Sequence, residues 1–158
     1  MFRPLTRIKQ QLSDEECIEI LKNEKRGVLS VLGDDEYPYG MPMNHFYNEE
    51  DGCLYFHSGK KGHKVDAFTK HNKASFCVYD QGYTKEGEWS LNIKSVIVFG
   101  KIEIIDDEEK MYDIVRKLSY KFTNDDTYID YEINKSGKAT LMFVLKPEYI
   151  TGKIVNES

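Results

Sequence analysis

Apolar residues recur along the chain in two rhythms, one near the 3.6-residue helical period and one alternating, and the changes between them mark the predicted elements. Cys17, Ile18 and Leu21 fit one helical face. Ser13 followed by Glu16 makes a capping box, with Leu12 and Cys17 placed as a hydrophobic staple, so this helix is predicted to start at Asp14. It is expected to end near Arg26 and Gly27, where Gly27 permits a left-handed exit. Strands are predicted over Val28 to Leu32, Tyr39 to Tyr47, Cys53 to Ser58, Lys73 to Tyr79 and Ser95 to Ile105. Pro38, Gly40 and Pro42 make the second a bulged or edge segment, and Gly100 marks a bend or bulge in the last.

Between these strands the helical rhythm returns twice. A short helix is predicted after Gly62, where Val65 and Phe68 stand three apart, and an amphipathic one follows Asp106 to Glu109. Met111, Ile114, Val115 and Leu118 define the apolar face of the second, which is expected to end near Phe122. Thr123 to Lys138 reads as loop with at most a short helical turn, and Ala139 to Leu145 as the last full strand, stopped by Pro147. The tail Tyr149 to Val155 adds a short edge segment. With no repeated strand–helix–strand unit, the order fits a closed antiparallel barrel with helices outside it.

Composition narrows the class. A chain of 158 residues is expected to build one domain, 1–158, and 40% hydrophobic with 31% charged residues is the balance of a soluble globule. No apolar run approaches the roughly 20 residues that span a bilayer, and the N-terminus lacks an apolar signal region, which predicts a cytoplasmic protein. The formal net charge of -5 argues against nucleic acid as a partner. Cys17, Cys53 and Cys77 are odd in number and form no C-x-x-C pair, so they are read as reduced, buried thiols. No spacing of His with acidic residues suits a metal.

The chemistry concentrates in Tyr55 to Lys64, where a strand end runs into Ser58, Gly59, Lys60, Lys61, Gly62, His63 and Lys64 before a helix. Glycines let backbone N–H groups approach an oxyanion, a helix N-terminus offers unpaired donors, and lysine adds charge. A phosphate monoester suits such a cradle, and a solvated lysine turn is the bland alternative. Neither G-x-x-x-x-G-K-[ST] nor G-x-G-x-x-G is present. His57 precedes the cradle on its strand; taken alone, it reads, like His45 and His71, as a hydrogen-bonded structural side chain.

Four blocks in order, Tyr37 to Tyr47, Leu54 to Phe68, Lys94 to Lys101 and Ile150 to Lys153, resemble the pyridoxamine 5'-phosphate oxidase-like flavin-binding split barrels, and among them the nitroimidazole-resistance branch. The resemblance implies a mainly β (α+β) fold, a six-stranded antiparallel split β-barrel with flanking helices. It implies a homodimer with flavin mononucleotide (FMN) in grooves between the subunits. Pro42, Met43 and Asn44 would lie along the isoalloxazine ring, His57 and Ser58 at the ribityl side and phosphate, and Lys60, His63 and Lys64 at the phosphate. Ser95 would reach the flavin from the partner chain. The implied activity is an FMN-dependent reduction of a small organic acceptor such as a 5-nitroimidazole, with His57 as the catalytic candidate. The alternatives are a noncatalytic flavin- or haem-binding module of the same fold, or a related oxidase with another substrate. Pyridoxamine phosphate itself is disfavoured, because oxidases of that substrate carry extra basic residues near the C-terminus, where this chain has only Lys153.

Overall fold

The structure is a computed structural model and describes residues 1–158. The capping box forms as predicted, Ser13 Oγ accepting from Glu16 N at 3.2 Å, and starts α1 (Asp14–Asn23). Leu12 and Cys17 are both buried, as a staple requires. The helix ends three residues earlier than expected, because Gly27 belongs to β1 (Arg26–Leu32). A side chain on Gly27 would come within 2.5 Å of the Cys77 carbonyl, so this glycine serves a close strand approach and not a helix exit.

The chain continues through β2 (Pro38–Asn44), β3 (Phe46–Asn48), β4 (Cys53–Gly59), α2 (His63–Lys70), β5 (Lys73–Tyr79) and β6 (Leu91–Ile105). Helices α3 (Glu108–Ser119) and α4 (Asp126–Ser136) follow, then β7 (Thr140–Glu157). All pairings are antiparallel, in the order β2-β1-β5-β6-β7-β4-β3. The two edge strands, β2 and β3, are consecutive pieces of chain separated only by His45, so one bent segment belongs to both edges and curls the sheet into a split barrel. The predicted single strand from Tyr39 to Tyr47 breaks there, and the count becomes seven instead of six.

Two further expectations are corrected. Pro147 does not stop the last strand: the β6–β7 register shifts between Phe99 and Gly100, so that Phe99 faces Tyr149, Gly100 faces Pro147 and Glu148 is the extra residue. A bulge tolerates a residue with no ladder donor. Gly100 is needed opposite it, since a Cβ there would lie 2.2 Å from the Lys146 carbonyl oxygen. The segment expected to be loop contains α4, an 11-residue helix whose Asp125 side chain accepts from Tyr128 N. Arg116 on α3 pairs with Asp126 at 3.1 Å and also with Asp130, tying the two helices together.

The barrel interior is filled by residues such as Leu29, Phe56, Phe76, Val98 and Phe143, and α1 closes one side of it. A smaller core of Tyr55, Ile105, Ile114, Met142 and Val144 lies under α3. The three cysteines are free, Cys17 buried and the other two half-buried. No helix is long and apolar enough to cross a membrane.

Candidate functional site

The cradle forms where β4 runs into α2. Lys60, Lys61 and Gly62 are exposed, and Gly62 has φ 134°, a conformation closed to ordinary L residues. This glycine is the N-cap of α2 and gives its first turn no side-chain cap, whereas Ser13, Asp107 and Asp125 cap the other three helices. Uncapped N–H groups at the positive end of a helix, beside lysines, are suited to accept an anionic group. These residues fit a phosphate.

His57 and Ser58 are neighbours on β4 and project to opposite faces of it. His57 shares its face with Tyr55 and, across the ladder, with Met142, and its ring reaches solvent. Packing around the ring and then the Lys64 ammonium hold its pKa below the usual imidazole value, so the ring is neutral near pH 7. Ser58 donates its hydroxyl to the Gly59 carbonyl at 2.8 Å.

On β2, Pro42 and Asn44 point to the outer face of the sheet, while the Met43 side chain is buried in the barrel core. The backbone of this segment lies at a sheet edge, with part of its hydrogen-bonding capacity unused by β1. The Asn44 side-chain oxygen accepts from Arg26 Nε at 3.0 Å. Ser95 is not brought to His57 within one chain. It pairs with Tyr79 and Lys153 near the start of β6, whereas His57 lies across β7 from Ile105 at that strand's far end. Ten residues of strand separate Ser95 from Ile105, roughly 33 Å.

His63 is placed differently from the lysines. Its ring stacks on Tyr39 with centroids 4.0 Å apart, and its Nε2 accepts from the Asp34 backbone N–H at 3.3 Å. Tyr39, Asp34 and Arg26 are thus structural participants that sequence reading left out. None carries a local motif, and only the pairing of β1 with β2 and the docking of α2 bring them here.

Residues 13–154 match the sequence profile of pyridoxamine 5'-phosphate oxidase. The chain belongs to this family. A candidate 5-nitroimidazole antibiotic resistance protein of Bacteroides thetaiotaomicron has the same fold, with TM-score 0.75 and 19% identity over 92% of this chain and 87% of that one. An FAD-binding protein of Mesorhizobium loti superposes with TM-score 0.69 and 21% identity over 92% and 97%. A candidate pyridoxamine 5'-phosphate oxidase of Listeria innocua gives TM-score 0.60 and 20% identity over 89% and 96%. A search of curated proteins gives no match. The split-barrel fold and membership of the pyridoxamine 5'-phosphate oxidase family are therefore established.

Proposed function

We propose that the protein is an FMN-dependent oxidoreductase that reduces a small organic acceptor, such as a 5-nitroimidazole, from a site shared between two copies of the chain. The observation that carries the reading is the α2 N-terminus, held open by Gly62 and flanked by Lys60, Lys61 and Lys64, beside the exposed ring of His57. That donor set matches a terminal phosphate, which favours FMN over riboflavin. The similarity to FAD-binding proteins keeps FAD as the second cofactor to test.

When bound, a flavin supplies reversible electron and hydride chemistry. The chain's own part is to bind and orient it. Lys60, Lys64 and the α2 N–H groups would hold the phosphate, and the β2 backbone at Pro42 to Asn44 would meet the polar edge of the ring. Ser95 of a second copy would close the groove. The neutral imidazole of His57 would offer an N–H hydrogen bond toward the reacting edge, where reduction of a nitro group consumes protons.

Titration of the purified protein with FMN, FAD and riboflavin, followed by flavin absorbance, tests the cofactor. Tightest binding of FMN is expected. Chemically reduced flavin on the protein should then be reoxidised anaerobically by a 5-nitroimidazole faster than free reduced flavin at equal concentration. His57→Ala should slow this step and leave the flavin bound. A rate no greater than that of free flavin removes the reductase and leaves a flavin-binding module.

A further inference from the structure

The two ends of the proposed cofactor site sit on separate elements, the ring strand β2 and the phosphate helix α2, and one aromatic pair joins them. Tyr39 belongs to β2, three residues before Pro42, on the inward face it shares with Met41 and Met43. His63 is the first residue of α2. Their rings stack at 4.0 Å with an interplanar angle of 20°, and the Asp34 N–H donates to His63 Nε2 at 3.3 Å. Gly33 makes room for this arrangement: a Cβ there would lie 2.9 Å from Tyr39 Cβ and 3.0 Å from His63 Nε2.

The turn that presents the Asp34 N–H is itself strained. Asp35 and Glu36 have φ 53° and 62°, left-handed values unusual for two consecutive residues that are not glycine. Such strain persists where the surroundings over-determine the conformation, and here the contacts around the turn include Gly33 N donating to the Tyr37 carbonyl at 2.8 Å and the bond to His63. The Asp34 carboxylate also lies 3.8 Å from the same Nε2, so both the backbone and the side chain of Asp34 face the ring. His63 is turned toward the inward row of β2, away from the outer face that carries Pro42 and Asn44.

Resting on the flavin reading above, we infer that Tyr39 and His63 form a clasp that fixes the first turn of α2 against β2, making His63 a positioning residue for the cofactor phosphate and not one of its charge partners. The clasp sets the separation between the ring strand and the phosphate cradle. Losing it displaces the α2 donors from the phosphate and leaves the ring strand in place.

The test is a double-mutant cycle read as the ratio of FMN to riboflavin affinity, by quenching of flavin fluorescence. Tyr39→Leu and His63→Ala are each expected to lower FMN affinity by about fivefold or more with riboflavin changed less than about twofold, and the double variant to lose no more than the worse single one. His63→Phe, which keeps a ring for the stack, should return FMN affinity to within about twofold of wild type. Multiplying losses in the double variant, or His63→Phe as weak as His63→Ala, overturns the clasp. Thermal unfolding follows each variant. Should Tyr39→Leu not fold, the comparison of His63→Phe with His63→Ala, at an exposed position, decides the question alone. A wild-type protein with no preference for FMN overturns the flavin-phosphate reading and the clasp together, whereas a clear preference that both single variants retain overturns only the clasp.

Discussion

Lys64 is half-buried at the start of α2 and close enough to His57 for its charge to be felt there. A charge-assisted hydrogen bond contributes about 1.5 to 3 kcal/mol, so Lys64→Ala should weaken FMN by about tenfold or more and riboflavin far less. Equal losses for the two ligands, measured by equilibrium titration, would mean that Lys64 does not meet the phosphate. Glu36 offers a second test, in stability. A left-handed conformation costs an L residue about 1 kcal/mol, and a two-residue left-handed turn favours glycine at its second position. Glu36→Gly should therefore raise the urea midpoint by an amount worth about 1 kcal/mol; an unchanged or lower midpoint would show the turn to be relaxed. The lysines and Gly62 were legible as a candidate anion cradle because they are contiguous, whereas His57, taken alone, read as structural and joined them only through the family resemblance. Gly100 was legible as a bend or bulge and the register shift falls there, whereas the need for Gly27 was not, because it is set by the Cys77 carbonyl of a strand distant in sequence.

The corner between β2 and β3 joins three elements. His45 is fully buried there, its Nε2 donating to the Leu21 carbonyl of α1 at 2.7 Å, and its Nδ1 has no partner. Lys121, just beyond α3, donates to the carbonyls of Glu24 and His45 at 2.7 Å each, and burial lowers its own pKa to about 8. Burial, and then the Lys121 ammonium, push the His45 pKa down to about 3 from 6.5. The unfolded chain thus binds a proton on this residue below pH 6.5 and the folded chain does not until about pH 3. Stability should fall as pH drops through that window, by about 1.4 kcal/mol per pH unit from this group, and His45→Gln should flatten the slope by that amount in urea melts. An identical slope in the variant would mean that His45 is accessible to protons in the folded state. At this scale the sequence announced α1 and α3 through their caps and apolar faces. It did not announce α4, whose only fully buried residue is Ile129 and which depends on Arg116 from α3.

Cross-strand register gives the sheet an outer face of mixed but largely apolar character. Pro42, Val28, Cys77, Ile97 and Thr151 form one row across it, and Tyr79, Ser95 and Lys153 form another. Val28, Tyr79 and Phe99 are exposed on this face, and Phe2 stacks on Tyr149 at 5.1 Å beside Phe99. A shared groove of the kind proposed above requires this face to be buried against a second copy. Sedimentation equilibrium should therefore report twice the 18.5 kDa of a single chain. A monomer that binds FMN tightly at low concentration would dismiss the shared groove.

The sequence by itself determined the strand-rich architecture, the starts of α1 and α3 and the contiguous Gly- and Lys-rich segment that leads into α2, because each depends on residues a few positions apart. Tertiary structure alone decided where the barrel is split, that β7 runs on past Pro147, and that His63 faces Tyr39. Each of these follows from contacts between distant segments: His45 is drawn into the core to meet Leu21, Pro147 is accommodated by a bulge facing Gly100, and the His63 ring is held by Tyr39 of β2 and by the turn at Asp34, which lies 29 residues earlier in the chain. Local pattern is blind to such contacts, since they exist only once the sheet has paired.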